Sequence, residues 1–197
     1  MMSVKKALLV MDFINEIVHP EGVYGREGYY QQIQEGGVLK KAAAALRHAR
    51  DHHLQIVFVV VGFNAHYEGF PLRSRVFAPA KEHDVLKLKT WSTQVHDELR
   101  PREDEIIVAK SRVSPFYQTN LELLLRTQGI EELILTGVST EHVILATTLD
   151  GHDRDFNVTV LEDACAAVTR ERHVAAIERI SRTATISSTS DFIGSSL

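Results

Sequence analysis

The stretch LILTGVSTEHV, Leu133 to Val143, decides how the rest of the chain is read. A short apolar run stops at Gly137, small polar residues follow, and an apolar-periodic segment begins. That order describes a buried strand turning sharply into a helix. Backbone N–H groups at such a turn are placed to meet an anion.

Outward from this unit, short apolar or β-branched runs at residues 6–12, 55–61, 105–109, 157–161 and 184–187 join 132–136 to make six strands. Helical spacing appears at 38–53, where Val38, Ala42, Ala45, Leu46 and Ala49 recur, and at 119–128, which stops before Gly129. Two further helices are predicted at 140–154 and 170–181. Residues 13–36, broken by Pro20 and several glycines, read as a loop. Residues 63–103 hold Pro71, Pro79, Pro101 and the only tryptophan, Trp91, and read as a long irregular insertion, a feature more often functional than idle. Alternating strands and helices predict a Rossmann-like three-layer α/β/α fold with a six-stranded, mainly parallel sheet, in one domain spanning 1–197.

Composition narrows the function. Acidic and basic side chains, 26 against 22, are well mixed, so no basic face awaits a phosphate backbone and nucleic acid is not an expected partner. No apolar run approaches the ~20 residues of a membrane span. Ala7 to Met11 is too short for a signal-peptide core, and a cytoplasmic location is expected. One cysteine, Cys165, allows no internal disulfide and reads as a small buried apolar residue.

In an open parallel sheet, ligands bind beyond the carboxyl ends of the strands. Asp12, Gly62, Lys110, Gly137 with Ser139, and Glu162 with Asp163 stand at those ends. Asp12 suits a general acid or base and Lys110 a fixed positive charge, against a capping residue and a plain ion pair as the structural alternatives.

Four motifs then stand in register: ALLVMDFIN from Ala7, KSRVSPFYQTNLE from Lys110, GVST from Gly137 and EDAC from Glu162. Together they resemble the isochorismatase-like, or cysteine hydrolase, superfamily over nearly the whole chain, most weakly across 63–103. The resemblance implies that Asp12 exchanges protons with the reacting group, that Lys110 orients and charges the site, and that the Val138–Ser139 bond is cis. It also implies that Ser139 and its neighbours offer N–H donors to a developing oxyanion.

At one position the chain departs from that pattern. Amide-hydrolysing members carry a nucleophilic cysteine where this chain has Val143, and valine has no nucleophilic atom. Isochorismatases proper also lack the thiol and rely on an acid and water, with glycine rather than valine at this point. The reading is therefore a non-thiol, water-mediated hydrolase of a small metabolite. The alternatives are a binding or scaffold member that has lost turnover, or an amidase using Ser139 or Thr140 with His142 nearby.

His142 faces either the ligand or solvent. Phe63, Asn64, Tyr67, Phe70 and Trp91 either wall the pocket or pack the insertion, and Phe116 of the second motif is a further candidate for substrate contact. The spaced histidines of a nicotinamidase metal site are absent, since GFNAH after the second strand offers only His66, so neither metal nor cofactor is expected. The resemblance implies a homo-oligomer, in which a neighbouring copy can complete a pocket.

Overall fold

In a computed structural model the structure describes residues 4–195. The chain runs through β1 (Lys6–Met11), α1 (Asn15–Val18), α2 (Tyr29–Gly36), α3 (Val38–Asp51), β2 (Gln55–Val61), α4 (Ala78–Glu82), β3 (Ile106–Lys110), α5 (Leu121–Thr127) and β4 (Glu132–Val138). It continues through α6 (Leu145–His152), β5 (Asn157–Ala166), α7 (Arg170–Ile180), β6 (Thr185–Ser187) and α8 (Thr189–Gly194). All six strands are parallel, in the order β3-β2-β1-β4-β5-β6. Strand order reverses between β1 and β4, so the crevice above their carboxyl ends is where a ligand is expected.

Alternation along β1 shows how the sheet holds its two helical layers. Leu8 and Val10 pack with Leu46 of α3 and Phe58 of β2, whereas Leu9 and Met11 pack with Leu121 and Leu125 of α5 and Ile180 of α7. Each such side chain, fully buried, contributes about 1.5–3 kcal/mol. Because successive residues point to opposite faces, a central strand covered on both sides is apolar throughout. This is why β1, β2 and β4 were legible as continuous apolar runs.

Residues 13–36 are not a loop. They form α1, a 3₁₀ turn at Gly25–Glu27 and α2. Helices of four and eight residues are too short for an apolar period to declare itself between glycines. Strand β5 continues five residues beyond the predicted end at Leu161, with its register shifted opposite Leu135 and Gly137. The helix predicted from Thr140 opens with a π-helical turn, Thr140–Ile144, before α6 begins. The closing helix α8 had no counterpart in the sequence reading.

The insertion folds back on residues 15 and 16. Glu16 is buried, accepts the Val23 N–H at 2.6 Å, and accepts the Ser92 hydroxyl at 2.7 Å. Ser92 in turn accepts the Leu86 N–H at 2.7 Å, and Asn15 donates to the Trp91 carbonyl at 3.1 Å. One carboxylate thus ties two chain segments together, the Ser92 donor being buried. Glu16→Ala is expected to lower stability by about 1–3 kcal/mol, read from the denaturant midpoint, since one buried and one part-buried donor lose their acceptor.

Candidate active site

Asp12 follows β1 in the left-handed region, with φ 57°, its N–H given to the Val59 carbonyl and its carbonyl accepting from Ile14. This turn swings the carboxylate over the end of β2, where Oδ1 accepts the Val61 N–H at 2.7 Å. Lys110, the last residue of β3, is paired with Val61, the last residue of the adjacent β2. Its ammonium lies 2.8 Å from Asp12 Oδ2 and also donates to the Arg112 carbonyl at 3.1 Å. The exposures of Asp12 and Lys110 are 3% and 4%.

Burial pushes the Asp12 carboxyl above the ordinary aspartate range; the Lys110 ammonium and the Val61 N–H oppose it without cancelling it. An acid buried against one cation and poised above its usual pKa suits proton transfer near neutral pH.

The second half of the site comes from β4. Gly137 lies beside Met11, and a Cβ at this position would stand 2.5 Å from the Met11 carbonyl oxygen, so only glycine lets the strand ends approach this closely. The Val138–Ser139 peptide bond is cis, as the resemblance implies. Ser139 then leads into the π-helical turn, its carbonyl accepting from the His142 and Ile144 amides.

Asp12, Lys110, Val138, Ser139, His142 and Val143 line one cavity of about 290 Å³. The same cavity is lined by Tyr24 and Tyr29 from the stretch read as a loop, by Arg75 and Phe77 from the insertion, and by Arg172 of α7. These contributors were missed. An arginine in the first turn of α7 was the available signal, because a cation gains nothing from a helix N-terminus.

Six pocket-wall candidates, Phe63, Asn64, Tyr67, Phe70, Trp91 and Phe116, lie outside the cavity lining. Phe63 is buried beneath the insertion, packed on Tyr67, Phe70 and Phe77. Asn64 is exposed and bonded to Glu68, and Trp91 stands partly exposed with its ring edge-on to His19. Phe116 stacks on Phe156 with the Arg154 guanidinium over its face. Apolar demand beneath the insertion and around α5, rather than ligand contact, holds Phe63 and Phe116.

The hydroxyl of Thr140 is wholly buried, off the cavity, and 2.9 Å from His173 Nδ1. Cys165 is buried, and its thiol is pushed up to about 12 by burial, which keeps it from acting as a thiolate. Among the described residues no three His, Cys, Asp or Glu side chains gather to hold a metal ion. No helix among them is long and apolar enough to cross a membrane.

Comparison with known proteins agrees with this arrangement. The model of the isochorismatase domain matches residues 6–191. A probable inactive nicotinamidase of Arabidopsis thaliana is 30% identical over 174 residues, covering 87% of this chain and 85% of its own. The ureidoacrylate amidohydrolase RutB of Yersinia enterocolitica is 29% identical over 170 residues, covering 80% and 74%.

Among solved structures, an isochorismatase family protein from Desulfovibrio vulgaris superposes with a TM-score of 0.83 at 23% identity, over 95% of this chain and 96% of its own. The N-carbamoylsarcosine amidase of Thermoplasma acidophilum superposes at 0.73 and 23%, over 94% and 97%. At these identities the superpositions speak for the fold alone, whereas the domain match spans all six strands and both halves of the site. The chain belongs to the isochorismatase family, whose members are hydrolases.

Proposed function

We propose that this protein hydrolyses a C–N or C–O bond in a small metabolite with water, not a side chain, as nucleophile. The observation that carries the reading is the buried Asp12–Lys110 pair on the wall of a cavity that the Ser139 turn also lines. Asp12 as carboxylate takes a proton from the attacking water. The water oxygen bonds to the electrophilic carbon, and the proton passes to the departing nitrogen or oxygen as its bond to that carbon breaks.

The Ser139 amide, which has no acceptor among the described residues, donates to the oxygen that gains charge. Lys110 keeps Asp12 oriented and, when Asp12 is ionised, neutralised. Two of the candidate positions for a protein nucleophile are set aside by the geometry: Val143 brings only methyl groups to the cavity, and the Thr140 hydroxyl is buried away from it. A covalent adduct trapped on the Ser139 hydroxyl, which does line the cavity, would overturn the reading.

Arg75 and Arg172 support a substrate bearing a carboxylate. Both line the cavity, and neither is paired with an acid among the described residues. Arg75→Ala and Arg172→Ala are each expected to raise KM for a carboxylate substrate about three- to tenfold, with little effect on a neutral analogue, because both groups are solvent-exposed. Equal effects on acid and amide analogues would remove the carboxylate from the reading.

Mass-spectrometric screening of isochorismate, amides, ureides and carbamates, wild type beside Asp12→Asn, tests the function. One class should be consumed by the wild type alone. Turnover that survives Asp12→Asn overturns the mechanism. The second reading, a binding member without turnover, draws on the likeness to the probable inactive nicotinamidase. It predicts retained ligand and no product anywhere in the panel.

A further inference from the structure

Behind the cavity wall, Thr140 and His173 form a buried pair that the proposed reaction leaves unused. Thr140 Oγ1 and His173 Nδ1 are 2.9 Å apart, with exposures of 0% and 6%. Neither residue lines the cavity, so neither is placed to touch a substrate there. Their importance lies in what Thr140 begins: the π-helical turn that carries His142 and Val143 to the cavity and follows directly on Ser139.

A π-helical turn is a wide turn seldom formed without outside support, and it is common at functional sites. Tightening it to an α-helical turn removes one residue from the loop, and each residue is worth about 100° of rotation about the helix axis. Such a slip would carry the Ser139 amide and the His142 ring off the wall. Holding the first residue of the turn prevents it.

Helix α7 is fixed well enough to do the holding. Thr169 caps it by accepting the Arg172 N–H, and the Val168 N–H donates to Glu141 Oε1 at 3.2 Å. Burial and the neighbouring Arg170 lower the His173 pKa against the opposing charge of Glu141, so the ring is neutral at pH 7. A neutral ring with its proton on Nε2 leaves Nδ1 to accept the Thr140 hydroxyl proton.

We infer that His173 is a positioning residue that keeps the Thr140–Ile144 turn in its π-helical register through Thr140, and so keeps Ser139, His142 and Val143 on the cavity wall. Its effect on rate rests on the hydrolase reading above; its effect on the turn does not.

Two measurements test this on the full chain. Crystal structures of Thr140→Val, which removes the hydroxyl and keeps the shape, and of His173→Ala should show the turn re-registered or residues 139–144 displaced. On the substrate found in the screen, each variant should lose about 10–100-fold in kcat with KM nearly unchanged, a misplacement effect. The double variant should be no slower than either single one, since both break one contact.

His173→Asn, which puts a polar atom where Nδ1 sits, should recover most of the rate, and His173→Gln, which puts it at the Nε2 position, should not. Should His173→Ala fail to fold, Thr140→Val set against Thr140→Ser carries the same comparison. An unchanged turn in Thr140→Val, or losses that multiply in the double variant, overturns the proposal. No product anywhere in the substrate panel overturns the hydrolase reading instead and leaves the crystal structures to decide this one.

Discussion

Asp12→Asn is expected to lower kcat by about 10²–10⁴-fold, the usual contribution of a general acid–base group. The substitution keeps the shape of the side chain. Asn Oδ1 still accepts the Val61 N–H, which directs the amide nitrogen toward Lys110 in place of the carboxylate oxygen now 2.8 Å from it. Two donors then face one another, the ammonium loses its anionic partner and keeps only the Arg112 carbonyl, and no group at this point takes a proton from water. Circular dichroism beside the rate separates a dead site from an unfolded chain.

The wild-type rate should also report the protonation of Asp12. Acting as a base, Asp12 works in its ionised form, so activity falls as pH drops through its pKa. Burial has moved that pKa upward, which places the acid limb of the profile above the roughly 3.9 of an ordinary aspartate. A limb at the ordinary value would remove Asp12 from the role of base.

Lys110→Met is expected to cost about 3–5 kcal/mol of stability at neutral pH, the penalty for leaving one member of a buried ion pair behind. The methionine fills most of the lysine's volume, so the loss is electrostatic rather than a cavity. Its pH dependence is the sharper part of the expectation. A carboxyl whose pKa is raised on folding binds its proton more tightly in the folded state.

Stability therefore falls as pH rises from the ordinary aspartate range through the raised pKa, and is regained on acidification. Removing the Lys110 charge, which lowers the Asp12 pKa in the wild type, raises that pKa further and extends the window upward. Urea denaturation of Lys110→Met should accordingly show recovery at pH 5 relative to pH 8. Equal losses at both values would mean that Lys110 contributes packing and not charge.

The parts of the site that were legible are those tied to strand ends. Asp12 and Lys110 each close a run of strand residues, and in a parallel sheet every such end lies on one rim. Register does the remainder: Lys110 lies beside Val61, and the Val61 N–H reaches Asp12. Phe63, Asn64, Trp91 and Phe116 had no comparable anchor. An aromatic side chain in an irregular segment satisfies apolar burial equally well beneath the loop or against a ligand, and composition does not separate the two.

The sequence by itself determined the six-stranded α/β layout and the rim on which acid, lysine and turn converge, because strand and helix periods and strand ends are local properties of the chain. It also determined that no thiol stands at position 143. Only the tertiary structure decided how the rest was assembled. It brought Tyr24, Tyr29, Arg75 and Arg172 to the cavity from three separate segments, left Phe63 and Trp91 off it, and set His173 against Thr140 across 33 residues. Those contacts depend on how the insertion folds back on Glu16 and how α7 packs on the turn. Both are long-range packing choices with no period along the chain for a sequence to display.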